Sequence, residues 1–66
     1  MIKPTIDSMI AEVRRELAVR SHVYPRFIAA GKMDQYIAEC QTINMEAVLE
    51  LLEEVKLART APSGQT

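Results

Sequence analysis

The chain has one cysteine, Cys40, and one histidine, His22, in 66 residues. An intrachain disulfide is therefore excluded, and a structural zinc site, which takes about four ligands, lacks them. Tryptophan is absent, the aromatics are one Phe and two Tyr, and only two Gly and three Pro punctuate the chain. That sparse punctuation predicts long uninterrupted helices rather than short strands and turns. No apolar run approaches the roughly 20 residues that span a bilayer, because a charge interrupts every candidate. Pro4, Asp7 and Glu12 follow Lys3 before any long apolar run, which is not the pattern of a signal peptide. With a lone thiol suited to a reducing compartment, these absences predict a soluble protein of the cytoplasm.

The net charge of −1 lacks the basic excess that usually accompanies nucleic-acid or acidic-lipid binding. Its distribution is uneven. From Arg14 to Lys32, the bases Arg14, Arg15, Arg20, Arg26 and Lys32 stand against a single acid, Glu16, whereas the stretch from Asp34 to Glu54 carries acids and no base. A polarised molecule is expected. At this length one apolar core rarely suffices without disulfides, a metal or a second subunit. The first two are excluded, so self-association is expected.

Two helical segments can be read. The first begins at Pro4 or Thr5, with Asp7 in the first turn opposite the positive end of the helix dipole. Ile2, Ile6, Met9, Ile10, Val13, Leu17 and Tyr24 fall on a stripe about 100° wide, with Glu12, Arg14 and Arg15 off it. Pro25 removes a backbone donor and disfavours helix at Tyr24, which predicts a kink or stop there. A further turn over Arg26 to Ala30 is expected to close at Gly31 in the left-handed conformation. Asp34 is the natural N-cap of a second helix running from Gln35 to about Ala58.

The second helix has a much wider apolar arc. Tyr36, Ile37, Cys40, Ile43, Met45, Ala47, Val48, Leu49, Leu51, Leu52 and Val55 cover roughly 240°, leaving a polar wedge around Thr42, Glu46, Glu50 and Glu53. One narrow stripe cannot cover that arc, so part of it is expected to bury against a second copy. Ile37, Asn44, Val48, Leu51, Leu52 and Val55 are the expected dimer contacts. Asn44, near the middle of the arc, can fix the register of such a pair. A charge at position 51 (Leu51→Glu) is expected to unfold the chain by burying it unpaired.

Candidates for chemistry are few. His22 and Cys40 are the only possible nucleophile and base, but Cys40 reads as a small hydrophobe of the apolar arc and His22 as a helix-end residue. Glu50, Glu53 and Glu54 read as a solvated helix edge, and no histidine accompanies them at metal-site spacing. No enzyme activity, cofactor or metal is expected. The densest cluster of cations and aromatics lies around the joint, where Arg20, Tyr24, Arg26, Phe27, Lys32 and Tyr36 are the candidate partner-binding residues. A helix-turn-helix contact with nucleic acid through the basic run is the alternative, although the acidic, apolar second helix is poorly suited to a major groove.

The stretch Tyr24-Pro25-Arg26, then Gly31-Lys32-Met33, then Met45-Glu46-Ala47-Val48 resembles a group of small phage-encoded helical proteins. The likeness covers roughly residues 13 to 52, and Arg15-Glu16-Leu17-Ala18 fits it as well. Within that group the nearest functional type is the phage anti-quorum-sensing proteins. The resemblance implies a dimeric anti-activator that binds a LuxR-type transcription activator of the infected host and also inhibits the type IV pilus assembly ATPase. It places Tyr24, Arg26 and Tyr36 at the interface. The expectation is thus an all-α, two-helix hairpin over residues 1–59 with a Pro-kinked first helix, forming a homodimeric helical bundle and followed by a disordered tail over 60–66. The competing function is a small dimeric nucleic-acid-binding accessory protein of a phage.

Overall fold

The computed structural model describes residues 2–60. It consists of two helices, α1 (Ile6–Ala29) and α2 (Gln35–Thr60), packed against each other as a hairpin. No strand occurs among the described residues. Neither helix is long and apolar enough to cross a membrane. The molecule measures 54 × 32 × 14 Å, and its thinnest dimension is little more than the roughly 10–12 Å of a single helix with side chains.

Each helix end has a local cause. Thr5 is the N-cap of α1: its Oγ1 accepts from Ser8 N at 3.0 Å, while Thr5 N donates back to Ser8 Oγ at 2.9 Å. This reciprocal arrangement satisfies two otherwise orphan donors. At the other end Gly31 takes a φ of +73°, and its N–H donates to the Ile28 carbonyl while Lys32 N donates to Phe27 O. The two bonds form a Schellman motif, which satisfies the last carbonyls and reverses the chain. Asp34 then caps α2, its Oδ2 accepting from Tyr36 N at 2.9 Å and from Ile37 N at 3.2 Å.

The sequence allowed α1 to end at Pro25. It does not: α1 continues through Pro25 to Ala29 as one helix. Proline cannot donate to the carbonyl four residues back, so the Ser21 carbonyl loses its usual helical donor, and the hydrogen-bond ladder is carried by the turns on either side. The expected end of α2 near Ala58 and the expected tail from residue 60 also shift, because Thr60 is the last residue of α2. The rest of that tail, 61–66, lies outside the described residues, as does Met1.

The seam between the helices follows heptad spacing on both sides. Ile6, Ile10, Val13, Leu17, Arg20, Tyr24 and Ile28 of α1 are buried or half-buried, and so are Ala38, Thr42, Met45, Leu49 and Leu52 of α2. Only Ile10 and Ala38, at 5 % and 4 % exposure, count as core, and no large side chain among the described residues is fully enclosed. Thr42 was read as part of a polar wedge, yet it is half-buried. The reason is its position, four residues after Ala38 and three before Met45, which puts it on the seam. Two interhelical ion pairs close the open end: Arg14 Nη2 to Glu53 Oε2 at 2.6 Å and Lys56 Nζ to Asp7 Oδ1 at 2.7 Å.

Candidate functional site

A two-helix slab has two broad faces, and side chains divide between them by spacing. Two shallow grooves identify the first face. One is lined by Asp7, Ala11, Arg14, Glu53 and Leu57, the other by Ser21, Pro25, Gln35, Glu39 and Ile43. This face is mostly polar and acidic, because Glu46 and Glu50 fall on the same flank of α2 at heptad spacing from Glu39, Ile43 and Glu53. The opposite flanks of the two helices make the second face. There Met9, Val23 and Phe27 of α1 lie beside Ile37, Asn44, Val48, Leu51, Leu52 and Val55 of α2.

All six expected dimer contacts thus share one apolar face, but not equally. Ile37, Val48 and Leu51 are 50 %, 44 % and 58 % exposed, and Asn44 is exposed, whereas Leu52 and Val55 are half-buried. Leu51 therefore stands in water in the single hairpin. A glutamate at 51 would not be buried there, which corrects the expectation that it unfolds the chain. The Glu16–Arg20 ion pair, at 2.9 Å, lies on the α1 side of this face.

The six partner-binding candidates around the joint separate into two kinds. Arg20 and Tyr24 are half-buried and serve the hairpin itself: the Arg20 guanidinium lies 5.7 Å from the Tyr24 ring centre, and Tyr24 Oη donates to Gln41 Oε1 at 2.9 Å. Arg26, Phe27, Lys32 and Tyr36 remain exposed. They do not form one patch. Phe27 belongs to the apolar face, while Tyr36 falls at heptad spacing from Ile43 on the acidic flank of α2.

The basic run is largely neutralised within the chain. Arg14 pairs with Glu53, Arg15 with Glu12 and Arg20 with Glu16, which leaves Arg26 and Lys32 without an ion pair among the described residues. The hydrogen bond from Arg15 to the Glu12 carboxylate raises the guanidinium pKa further above its ordinary value. Because α2 runs antiparallel to α1, the acidic stretch lies alongside the basic one, so charge is distributed across the hairpin rather than from end to end.

His22 is exposed on α1 and Cys40 half-buried on α2, with no hydrogen bond joining them. No group of three or more His, Cys, Asp or Glu side chains is placed to hold a metal ion among the described residues. Sequence reasoning missed Ala38, the most buried residue of α2. Its signal was the spacing to Thr42, Met45 and Leu49, obscured because alanine is a weak marker of burial. No protein-family model, no curated protein and no solved structure matches this chain.

Proposed function

We propose that this chain is a non-enzymatic, homodimeric protein-binding inhibitor encoded by a phage and acting in the cytoplasm of the infected host cell. The observation that supports this reading is the uncovered apolar face, with Ile37, Val48 and Leu51 each exposed by 44 % or more on a hairpin only one helix thick. Stable domains place two packed layers around a core, and here a second subunit would supply the missing layer. Pro25 would kink α1 near the joint and splay the exposed turn carrying Arg26, Phe27 and Lys32 outward. Arg26 and Lys32 of that turn, with Tyr36 at the start of α2, are the residues offered to a host protein, since an exposed aromatic beside unpaired cations is a typical interface anchor.

The target follows from the Tyr-Pro-Arg, Gly-Lys-Met and Met-Glu-Ala-Val resemblance: a LuxR-type transcription activator, with the type IV pilus assembly ATPase as a second partner. Binding blocks the activator by covering its surface. Purified protein mixed with a LuxR-type activator should co-elute with it and abolish its retention of promoter DNA. An Arg26→Glu/Tyr36→Ala variant of unchanged helicity should lose both effects. An activator that binds DNA unaltered in the presence of excess protein would defeat the assignment of target.

A further inference from the structure

We infer that two copies of the chain pack through their apolar faces with α2 antiparallel to α2 of the second copy and Asn44 at the two-fold axis. This rests on the homodimeric reading above and gives it a defined geometry. Centred on Asn44, residues 35–53 of each α2 overlap, about 28 Å of helix, which across two helices, about 20 Å, is on the order of 560 Å² per copy. The total, on the order of 1,100 Å², clears the roughly 1,000 Å² expected of a specific interface.

The register comes from the pattern of the stripe. Asn44 and Gln41 are its amides; the Gln41 amide oxygen already accepts from Tyr24 Oη, whereas no hydrogen bond of the Asn44 side chain occurs among the described residues, and a buried amide is costly unless it finds a partner. When antiparallel helices cross at Asn44, the two amides meet each other. At equal distances on either side, Ile37 then meets Leu51 of the second copy and Cys40 meets Val48. Sliding the helices by one turn sets Asn44 against Val48 or Cys40, leaving both amides without a partner.

A parallel pair would also join the two asparagines, but it leaves apolar surface uncovered. Its axis runs along the helices, so α2 alone would meet its copy and the Met9, Val23 and Phe27 flank of α1 would stay uncovered. The antiparallel arrangement stacks α1 on α1 as well.

The single cysteine makes the geometry measurable. Across an antiparallel pair centred on Asn44 the two Cys40 residues are about 12 Å apart along the axis, too far for a disulfide, whose Cα atoms lie about 4.4–6.8 Å apart. Under mild oxidation with diamide the wild-type dimer should therefore stay unlinked. Val48→Cys should shift from 7.4 kDa to twice that mass on a non-reducing gel, with a Cys40-to-48 link in the peptide map. If Val48→Cys loses helicity, Cys40→Ser/Gln41→Cys/Ala47→Cys places a second equidistant pair at exposed positions and should link 41 to 47. Efficient wild-type Cys40-to-Cys40 linkage would overturn the antiparallel register while leaving the dimer standing. A single-chain mass by sedimentation at micromolar concentration would overturn register and homodimer together, and binding of the activator by that single chain would leave the inhibitor reading intact.

Discussion

Individual side chains set where each helix begins and how the chain turns. Gly31 is the clearest case, since its φ of +73° is a conformation that side chains rarely adopt, yet a Cβ there would meet nothing within 4 Å. Gly31→Ala is therefore a purely conformational test: it should lower unfolding stability by about 1–2 kcal/mol, read as an earlier urea midpoint with an unchanged slope. Ile10 tests the seam in the same way. At 5 % exposure it is the most enclosed large side chain described, and Ile10→Ala should cost about 2 kcal/mol or more, enough to depopulate a domain this small. Residues of this kind were legible in the sequence, because Thr5, Gly31 and Asp34 carry the chemistry of caps and turns, and Ile10 sits on the first helix's apolar stripe. Ala38 and Thr42 were not, because small and weakly polar side chains become core only when a neighbouring helix lies against them.

At the scale of an element, the informative feature is that α1 passes through Pro25. Proline removes one helical hydrogen bond there, and Arg20, Tyr24 and Ile28, on either side of it, are half-buried on the seam. Pro25→Ala should restore the bond to the Ser21 carbonyl and raise the melting temperature of the chain. The gain is bounded by the roughly 3 kcal/mol that separates proline from alanine inside a helix. Alignment of α1 with α2 has an electrostatic part as well. The Arg14–Glu53 pair spans the helices at 2.6 Å, but both side chains are substantially exposed, 62 % and 45 %. Glu53→Gln should therefore cost less than about 1 kcal/mol, and the difference from wild type should vanish when melting is repeated at high salt.

For the whole molecule the decisive quantity is uncovered apolar surface. Leu51 stands more than half exposed in one hairpin, so its replacement by glutamate leaves that hairpin's own packing intact. In the proposed dimer the same change puts two carboxylates into an apolar interface opposite Ile37 of the other copy. Leu51→Glu should thus convert dimer to monomer by analytical ultracentrifugation at micromolar concentration, and it should lower the melting temperature in proportion to the lost association. An equivalent change on the acidic flank, Leu57→Glu, should leave the sedimentation coefficient where it was, because Leu57 lies on the opposite face of the slab.

Periodicity and capping chemistry, read from the order of residues alone, determined that this chain is two helices reversed at Gly31 and that the second has more apolar circumference than the first can cover. Those are local properties, fixed within a few residues of each position. Which part of the wide arc meets α1 was decided only in three dimensions, by the antiparallel apposition that buries Ala38 and Thr42 and turns Ile37, Val48 and Leu51 outward. The same apposition joins Arg14 to Glu53 and Lys56 to Asp7, partners far apart in the chain, whereas Arg15 and Arg20 pair with Glu12 and Glu16 within α1 itself.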